Sequence, residues 1–312
     1  MLLFNNITWY SLVAWFVVLG ALILINEFAR KSKVFSVILC VVMPIVLTVF
    51  VWPHTVGEGS STGTWFHWVK VYSALAGCLI FMGIRYFKSW KDNKYILMLP
   101  AIILAVNILE AVVRDFQCYG YAEGIVDGVW MLGGPWNIIN GIAGILNILT
   151  IISGWVGIFV SKDRSRDMIW PDQLWFWIIA YDLWNFAYVY NCVSDHSFYA
   201  GAALLISCTL PLIFIKKGVW IQNRAYTLAA WMMFTMTFPS FVDTSIFAVQ
   251  SSHNAKALLI VSIISLLSNI IVFIYHFYKI FKYKRNPFKE DVHFDLKAFS
   301  ATLFEATINN SI

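Results

Sequence analysis

The sequence predicts an all-α, polytopic transmembrane helix bundle of about nine spans, with its N-terminus outside and its C-terminus cytoplasmic. Three observations predict it. The 312-residue chain is 60 % hydrophobic and only 12 % charged, with a mean hydropathy of +0.72. A soluble domain is roughly 45–50 % apolar and about 25 % charged. Long apolar segments recur, each near the ~20 residues that a bilayer core requires. Basic residues alternate between loops in the pattern that sets membrane orientation.

The spans are expected near 8–28, 34–53, 66–86, 95–115, 137–160, 172–192, 197–215, 225–248 and 257–281. The first lacks a basic leader and a small-x-small cleavage site, so it reads as a retained anchor. One alternate set of loops holds Arg30, Lys31 and Lys33, then Arg85, Lys88, Lys91 and Lys94. It continues with Lys162, Arg164 and Arg166, then Lys216, Lys217 and Arg224, then the tail from Lys279 to Lys297. The other set holds only Lys70, Arg114 and Lys256, each at or near a helix end. A missed or extra span would scramble that alternation, and the basic side is cytoplasmic. Residues 1–289 form the transmembrane domain, and 290–312 form a short, flexible cytoplasmic tail. The lipid bilayer of a cell membrane is the first partner this implies. Aromatics reach 17 %, with 15 Trp, part of which belongs to interfacial belts.

Connections are short except at 116–136. There Gly120, Gly124 and Gly128 repeat every fourth residue, on one face of any helix, before Gly133-Gly134-Pro135 breaks it. Two readings stand: a re-entrant or interfacial half-helix, or an outer loop lying on the surface. Residues 99–110 echo faintly in 174–185, with Asn107 over Asp182 and Glu110 over Asn185, as in transporters with internal repeats.

Charges inside a spanning helix cost roughly 2.5–3.5 kcal/mol on insertion scales, so those retained mark sites or tight contacts. The fourth span carries Asn107, Glu110 and Arg114 on one face, with Glu110 and Arg114 spaced to pair. The fifth carries a stripe of Asn137, Asn140, Gly144, Asn147, Thr150 and Gly154. The sixth carries Asp182 near the midplane, then Asn185, Tyr188 and Asn191. The eighth carries Thr235, Pro239 and Asp243, and the ninth Ser262, Ser265, Asn269 and His276. Asp182 and Asn147 fall near the middle, and Glu110, Asn140 and Asp243 in the outer third. Together these residues imply one acidic cavity open to the outside, lined by Asn107, Glu110, Asn140, Asn147, Asp182, Asn185 and Asp243. Arg114 is its basic neighbour, and Trp177, Trp184 and Trp231 are its aromatics. Such a cavity suits a small polar or cationic solute or ion, through charge and cation–π attraction. The favoured reading is a transporter. A blander one makes the same residues helix-to-helix contacts.

The rival is a membrane-embedded, metal-dependent hydrolase acting at the outer face. His54, His67, His196 and His253 lie there with Asp115, Glu123, Asp127 and Asp195, all of ligand type but without HExxH or HxxxH spacing. Glu110-x-x-x-Arg114 resembles an element of intramembrane prenyl proteases, but the paired glutamate and embedded histidines are missing. A retinal protein needs a mid-helix Lys in the last span, and Lys256 stands at its outer start. No cofactor is assigned. The net charge of +5 is accounted for by loops, and no basic arm with interleaved aromatics marks a nucleic-acid partner. Homo-oligomerisation is left open. Cys118 and Cys192, at the outer ends of the fourth and sixth spans, form the candidate disulfide pair.

The stretch Pro171-Asp172-Gln173-Leu174-Trp175-Phe176-Trp177, running into Tyr181-Asp182-Leu183-Trp184-Asn185-Phe186-Ala187-Tyr188, resembles an uncharacterised bacterial multi-spanning membrane family, a domain of unknown function. The resemblance covers most of the chain. It implies the topology and a bacterial cytoplasmic membrane, and it implies no activity. The same Trp–Asn–Tyr stretch is similar to PnuC-type vitamin transporters, which carry a cationic nucleoside. Nine spans depart from their usual seven, and no residue role carries over.

Overall fold

α1 (Trp9–Lys31) opens on a capping box. Thr8 Oγ1 accepts from the Ser11 N–H at 3.2 Å, while Ser11 Oγ accepts from the Thr8 N–H at 2.9 Å. α2 (Lys33–Thr55) follows at once. Pro44 removes a backbone donor in its middle, and wider π-type turns flank it. Only 22 % of the apolar window of each helix is buried, and Phe16, Val17, Val34 and Phe50 point outward. Water would penalise such surface heavily; lipid does not. α3 (Trp65–Tyr86), α4 (Lys94–Cys118), α7 (Ser194–Phe214) and α9 (Ala255–Tyr283) complete the set. Among the described residues, six helices are thus long and apolar enough to cross a membrane. The computed structural model describes residues 2–57, 60–126 and 128–308 and is 72 % helical, an all-α bundle as the composition requires.

Three further helices are shorter or more polar: α5 (Pro135–Thr150), α6 (Trp175–Cys192) and α8 (Trp220–Thr237). α6 packs on α5 and α9, and α8 on α3 and α7. Most of α6 and α8 is buried. A helix met by protein on most sides needs no lipid-facing stripe, so it can carry amides and charges. The polar stripe of α5 faces its neighbours. Asn147 Nδ2 donates to Asn269 Oδ1 of α9 at 2.9 Å, and Asn140 Oδ1 accepts from Ser265 Oγ at 2.7 Å. Gly144 lets α4 and α6 approach: a Cβ there would stand 2.4 Å from Val112 Cγ2 and 2.7 Å from Trp184 Nε1.

Several boundaries differ from expectation. α5 stops at Thr150, short of 160, and the chain turns through Gly154 at φ +59°. α8 begins at Trp220 rather than 225 and ends before Pro239. The 116–136 segment is no half-helix. It folds as an antiparallel hairpin, β1 (Gly124–Val126) on β2 (Val129–Met131), with Ile125 opposite Trp130. Gly128 sits at φ +75°, a turn conformation that no helix uses.

One end of the bundle is basic. There a second hairpin, β3 (Phe159–Val160) and β4 (Met168–Ile169), leads in Asp167. Its carboxylate is fully buried and accepts from Arg30 Nη2 at 2.8 Å, Arg85 Nη2 and Lys216 Nζ at 3.0 Å, and Gln222 Nε2 at 2.8 Å. Burial alone would raise its pKa. The ion pairs outweigh that and hold it well below the usual carboxylate range. The described part of the tail docks on this end of the bundle. Asp172 accepts the backbone N–H groups of Val292 and His293, both at 2.8 Å. α10 (Lys297–Ile308) then turns Phe299, Thr302 and Ala306 inward from one face.

Candidate functional site

α3, α4, α6 and α8, with the start of α7, surround a cavity of about 110 Å³. That is room for several waters or a small organic molecule. It follows α8 from Arg224 to Thr235, roughly 16 Å at 1.5 Å per residue. Phe81, Leu104, Leu228, Trp231 and Met232 make most of the wall apolar.

The polar wall comes from α6 and α8. Tyr181, Asn185 and Tyr188 are spaced by four and three, so one face of α6 presents all three to the cavity. Arg224 reaches them from α8. Its Nε donates to Tyr181 Oη and its Nη2 to Asn185 Oδ1, both at 3.3 Å, and its Nη1 has no partner. The guanidinium is 6 % exposed. Lys70, across the cavity on α3, is fully engaged: it donates to Asn107 O at 2.8 Å, Asn107 Oδ1 at 3.2 Å and Glu110 Oε2 at 3.2 Å. Among the described residues no Asp or Glu lines the cavity.

The acidic cavity expected from the sequence is therefore corrected. Its three acids go to separate contacts. Glu110 pairs with Lys70 rather than with Arg114, which turns to Tyr121 Oη at 3.3 Å. Asp182 accepts from Thr209 of α7 at 2.7 Å, because one residue past Tyr181 is about 100° around the helix. Asp243 lies beside His196 and accepts from Ser61 Oγ at 2.5 Å. Of the expected residues Asn107, Asn185 and the aromatic Trp231 line the cavity, with Thr235 of the eighth-span stripe. Asn140 and Asn147 serve the α5–α9 seam, and Trp184 stacks on Tyr188 with ring centroids 6.2 Å apart.

The outer histidines separate as well. His67 and His196 line the cavity mouth with ring centroids 5.9 Å apart. His253 stacks on Trp130 and meets Asp195 at 2.8 Å, and His54 is exposed. Among the described residues no group of three or more His, Cys, Asp or Glu could hold a metal ion; Asp127 lies outside them. Ser61, His196 and Asp243 cluster, but His196 Nε2 faces both oxygens at 2.8 and 3.5 Å. A nucleophile relay needs them on opposite nitrogens. Asp115, one of the acids expected to share the outer face with the histidines, is fully buried and accepts from Asn140 at 2.8 Å, Cys192 Sγ at 3.3 Å and Asn137 at 3.5 Å. Cys118 and Cys192 are both free thiols.

A model of a family of unknown function (DUF5692) matches residues 5–305. The chain belongs to this family. No curated protein matches it, and no solved structure does. The similarity to PnuC-type transporters has no counterpart among these matches. In this family member the cavity residues that sequence reasoning missed are Arg224, Lys70 and Tyr181, while Tyr188 is legible on the polar stripe of the sixth span. In the sequence Arg224 reads as a loop charge, because the apolar run of the eighth span begins one residue after it. The helix begins at Trp220, which puts the guanidinium a full turn inside.

Proposed function

We propose that this chain crosses the bilayer nine times, N-terminus outside and C-terminus cytoplasmic, and moves a small solute through the cavity between α3, α4, α6 and α8. One observation carries the reading. Charged and amide groups line a space inside the bundle, between α3 and α4, which are long and apolar enough to cross a membrane, and the largely buried α6 and α8. Membrane helices keep such groups mainly where they serve a pathway. The orientation is supported by the basic end, where Lys31, Lys33, Lys88, Lys91, Lys162 and Arg164 rim two surface hollows. The site is proposed to consist of Arg224, Lys70, Asn107, Asn185, Tyr181 and Tyr188. Among the described residues His196 meets Asp243 and His253 meets Asp195 only as separate pairs, and no three ligand-type side chains converge, so the transport reading is favoured over the metal-dependent hydrolase.

Accessibility tests the pathway. In a background lacking the five native cysteines, Ser73→Cys and Ala225→Cys each place a thiol on the cavity wall. A membrane-impermeant thiol reagent is applied to right-side-out and to inverted vesicles. Transport predicts that both positions react and that at least one reacts from both sides. Protection of both positions from both sides overturns the reading.

A further inference from the structure

The charge class of the solute follows from the bookkeeping of buried charge around Arg224. A guanidinium cannot lose its proton to escape burial. It must therefore be compensated where it is, or pay the full cost of an isolated ion in a low-dielectric site. The two cavity cations differ sharply in this respect. Lys70 has three oxygen acceptors, one of them the carboxylate of Glu110. Arg224 has two, both neutral and both at 3.3 Å, longer than the usual 2.9–3.0 Å of a good bond. Its Nη1 has none. Among the described residues it makes no ion pair, and no acid lines the space it faces. Tyr188 supplies a second unsatisfied donor. Its hydroxyl is buried without a partner on the same wall. Donors without acceptors call for an acceptor. The carboxylate within electrostatic reach, Asp182, is bonded to Thr209 off the cavity and makes no ion pair with the guanidinium, so the fork still calls for an oxyanion on the cavity side.

We propose that the cavity binds a small organic anion: a carboxylate or comparable oxyanion seated on Arg224, with an apolar body lying along the cavity. This rests on the reading of the cavity as the solute site. The oxyanion takes Nη1 and shares the guanidinium fork, and the Tyr188 hydroxyl, one turn beyond Asn185 on the same wall, is the next free donor along the cavity. The body packs on Phe81, Leu104, Leu228 and Met232, which offer it no polar partner. The cavity also sets a size limit, since about 110 Å³ admits a compact molecule and no long chain. This reverses the sign of solute that the acidic residues of the sequence suggest.

Thermal stability of the purified full chain in detergent reads the proposal. The probes are benzoate, hexanoate and benzenesulfonate, against hexylamine, hexanol and inorganic sulfate. The organic anions are expected to raise Tm in proportion to the logarithm of their concentration, as ligands of the folded state do. Amine and alcohol should leave it unchanged. Sulfate controls for the exposed basic end, which would bind an anion with no apolar body. Arg224→Gln should weaken the organic anions by about 10- to 100-fold, and Arg224→Lys, which keeps charge but loses the fork, by less. The wild-type selectivity stands even if Arg224→Gln fails to fold. Stabilisation by hexylamine but not by the anions overturns the proposal, and so does equal stabilisation by sulfate that survives in Arg224→Gln. Anion binding with a cavity sealed from one side would sink transport and leave this inference standing. Two-sided access without anion preference would do the reverse.

Discussion

Asp167→Ala would remove the acid shared by three buried cations at the basic end. The cost can be worked out cation by cation. Arg30 keeps Glu27, and Lys216 keeps Asp163 at 2.5 Å. Arg85 keeps only the Ala29 carbonyl, at 2.9 Å, and its Nε already lacks a partner. Arg85 is 4 % exposed, so water cannot take over. Breaking a buried pair by removing one partner costs about 3–5 kcal/mol, most of it the stranded charge. The loss should therefore fall in that range and be traceable to Arg85. Unfolding in mixed micelles with rising dodecyl sulfate, followed by Trp fluorescence, measures it. Asp167→Ala/Arg85→Met removes both charges and should recover most of the loss, because no stranded charge remains and only the neutral Gln222 amide is left without its acceptor. A loss below about 1 kcal/mol, the size of an exposed pair, refutes the reasoning. So does a double variant no better than the single.

Other outcomes follow from the same structure. Gly144→Ala forces a methyl against Val112 and Trp184 and should cost about 1–3 kcal/mol by overpacking; an unchanged melting midpoint would contradict the tight seam. Thiol counting on the denatured chain should give the same number of free cysteines with and without reductant, since Cys118 and Cys192 are both unpaired. The docked tail should depend on pH through Asp291. Burial, then the neighbouring charge of Asp172, raise its pKa to about 6. A raised folded-state pKa means that docking takes up a proton, so this contribution is full below about pH 4 and is lost as pH rises through about 6. Asp291→Asn should match wild type below about pH 4 and protect the tail from proteolysis better than wild type near pH 8. Equal protection of the two at both values would remove Asp291 from the account.

Much of the bundle was legible because hydropathy and loop charge are local signals. α1, α2 and α9 could be drawn from their apolar runs alone, since lipid contact demands uniform composition. The α5 stripe was legible through its spacing, which fixes one face wherever the helix lies. The site was not legible, for two physical reasons. Asp182 and Tyr181 are adjacent in sequence but point to different neighbours, so depth alone cannot say which one meets the cavity. Arg224 carries the sign that marks a loop, and a hydropathy boundary was drawn to exclude it. Its role depends on what α6 places opposite, a long-range fact. The tail illustrates a third limit. Val292 and His293 are ordered by a single acceptor, Asp172, more than a hundred residues away in sequence.

The central claim is an anion-carrying cavity built on Arg224. Uptake of labelled benzenesulfonate into proteoliposomes tests it most directly, because this anion stays charged and crosses bare lipid poorly. Saturable uptake above protein-free liposomes, competed by benzoate but not by hexylamine and lost in Arg224→Gln, is the predicted result. Uptake no faster than in protein-free liposomes, or equally fast in Arg224→Gln, would contradict it.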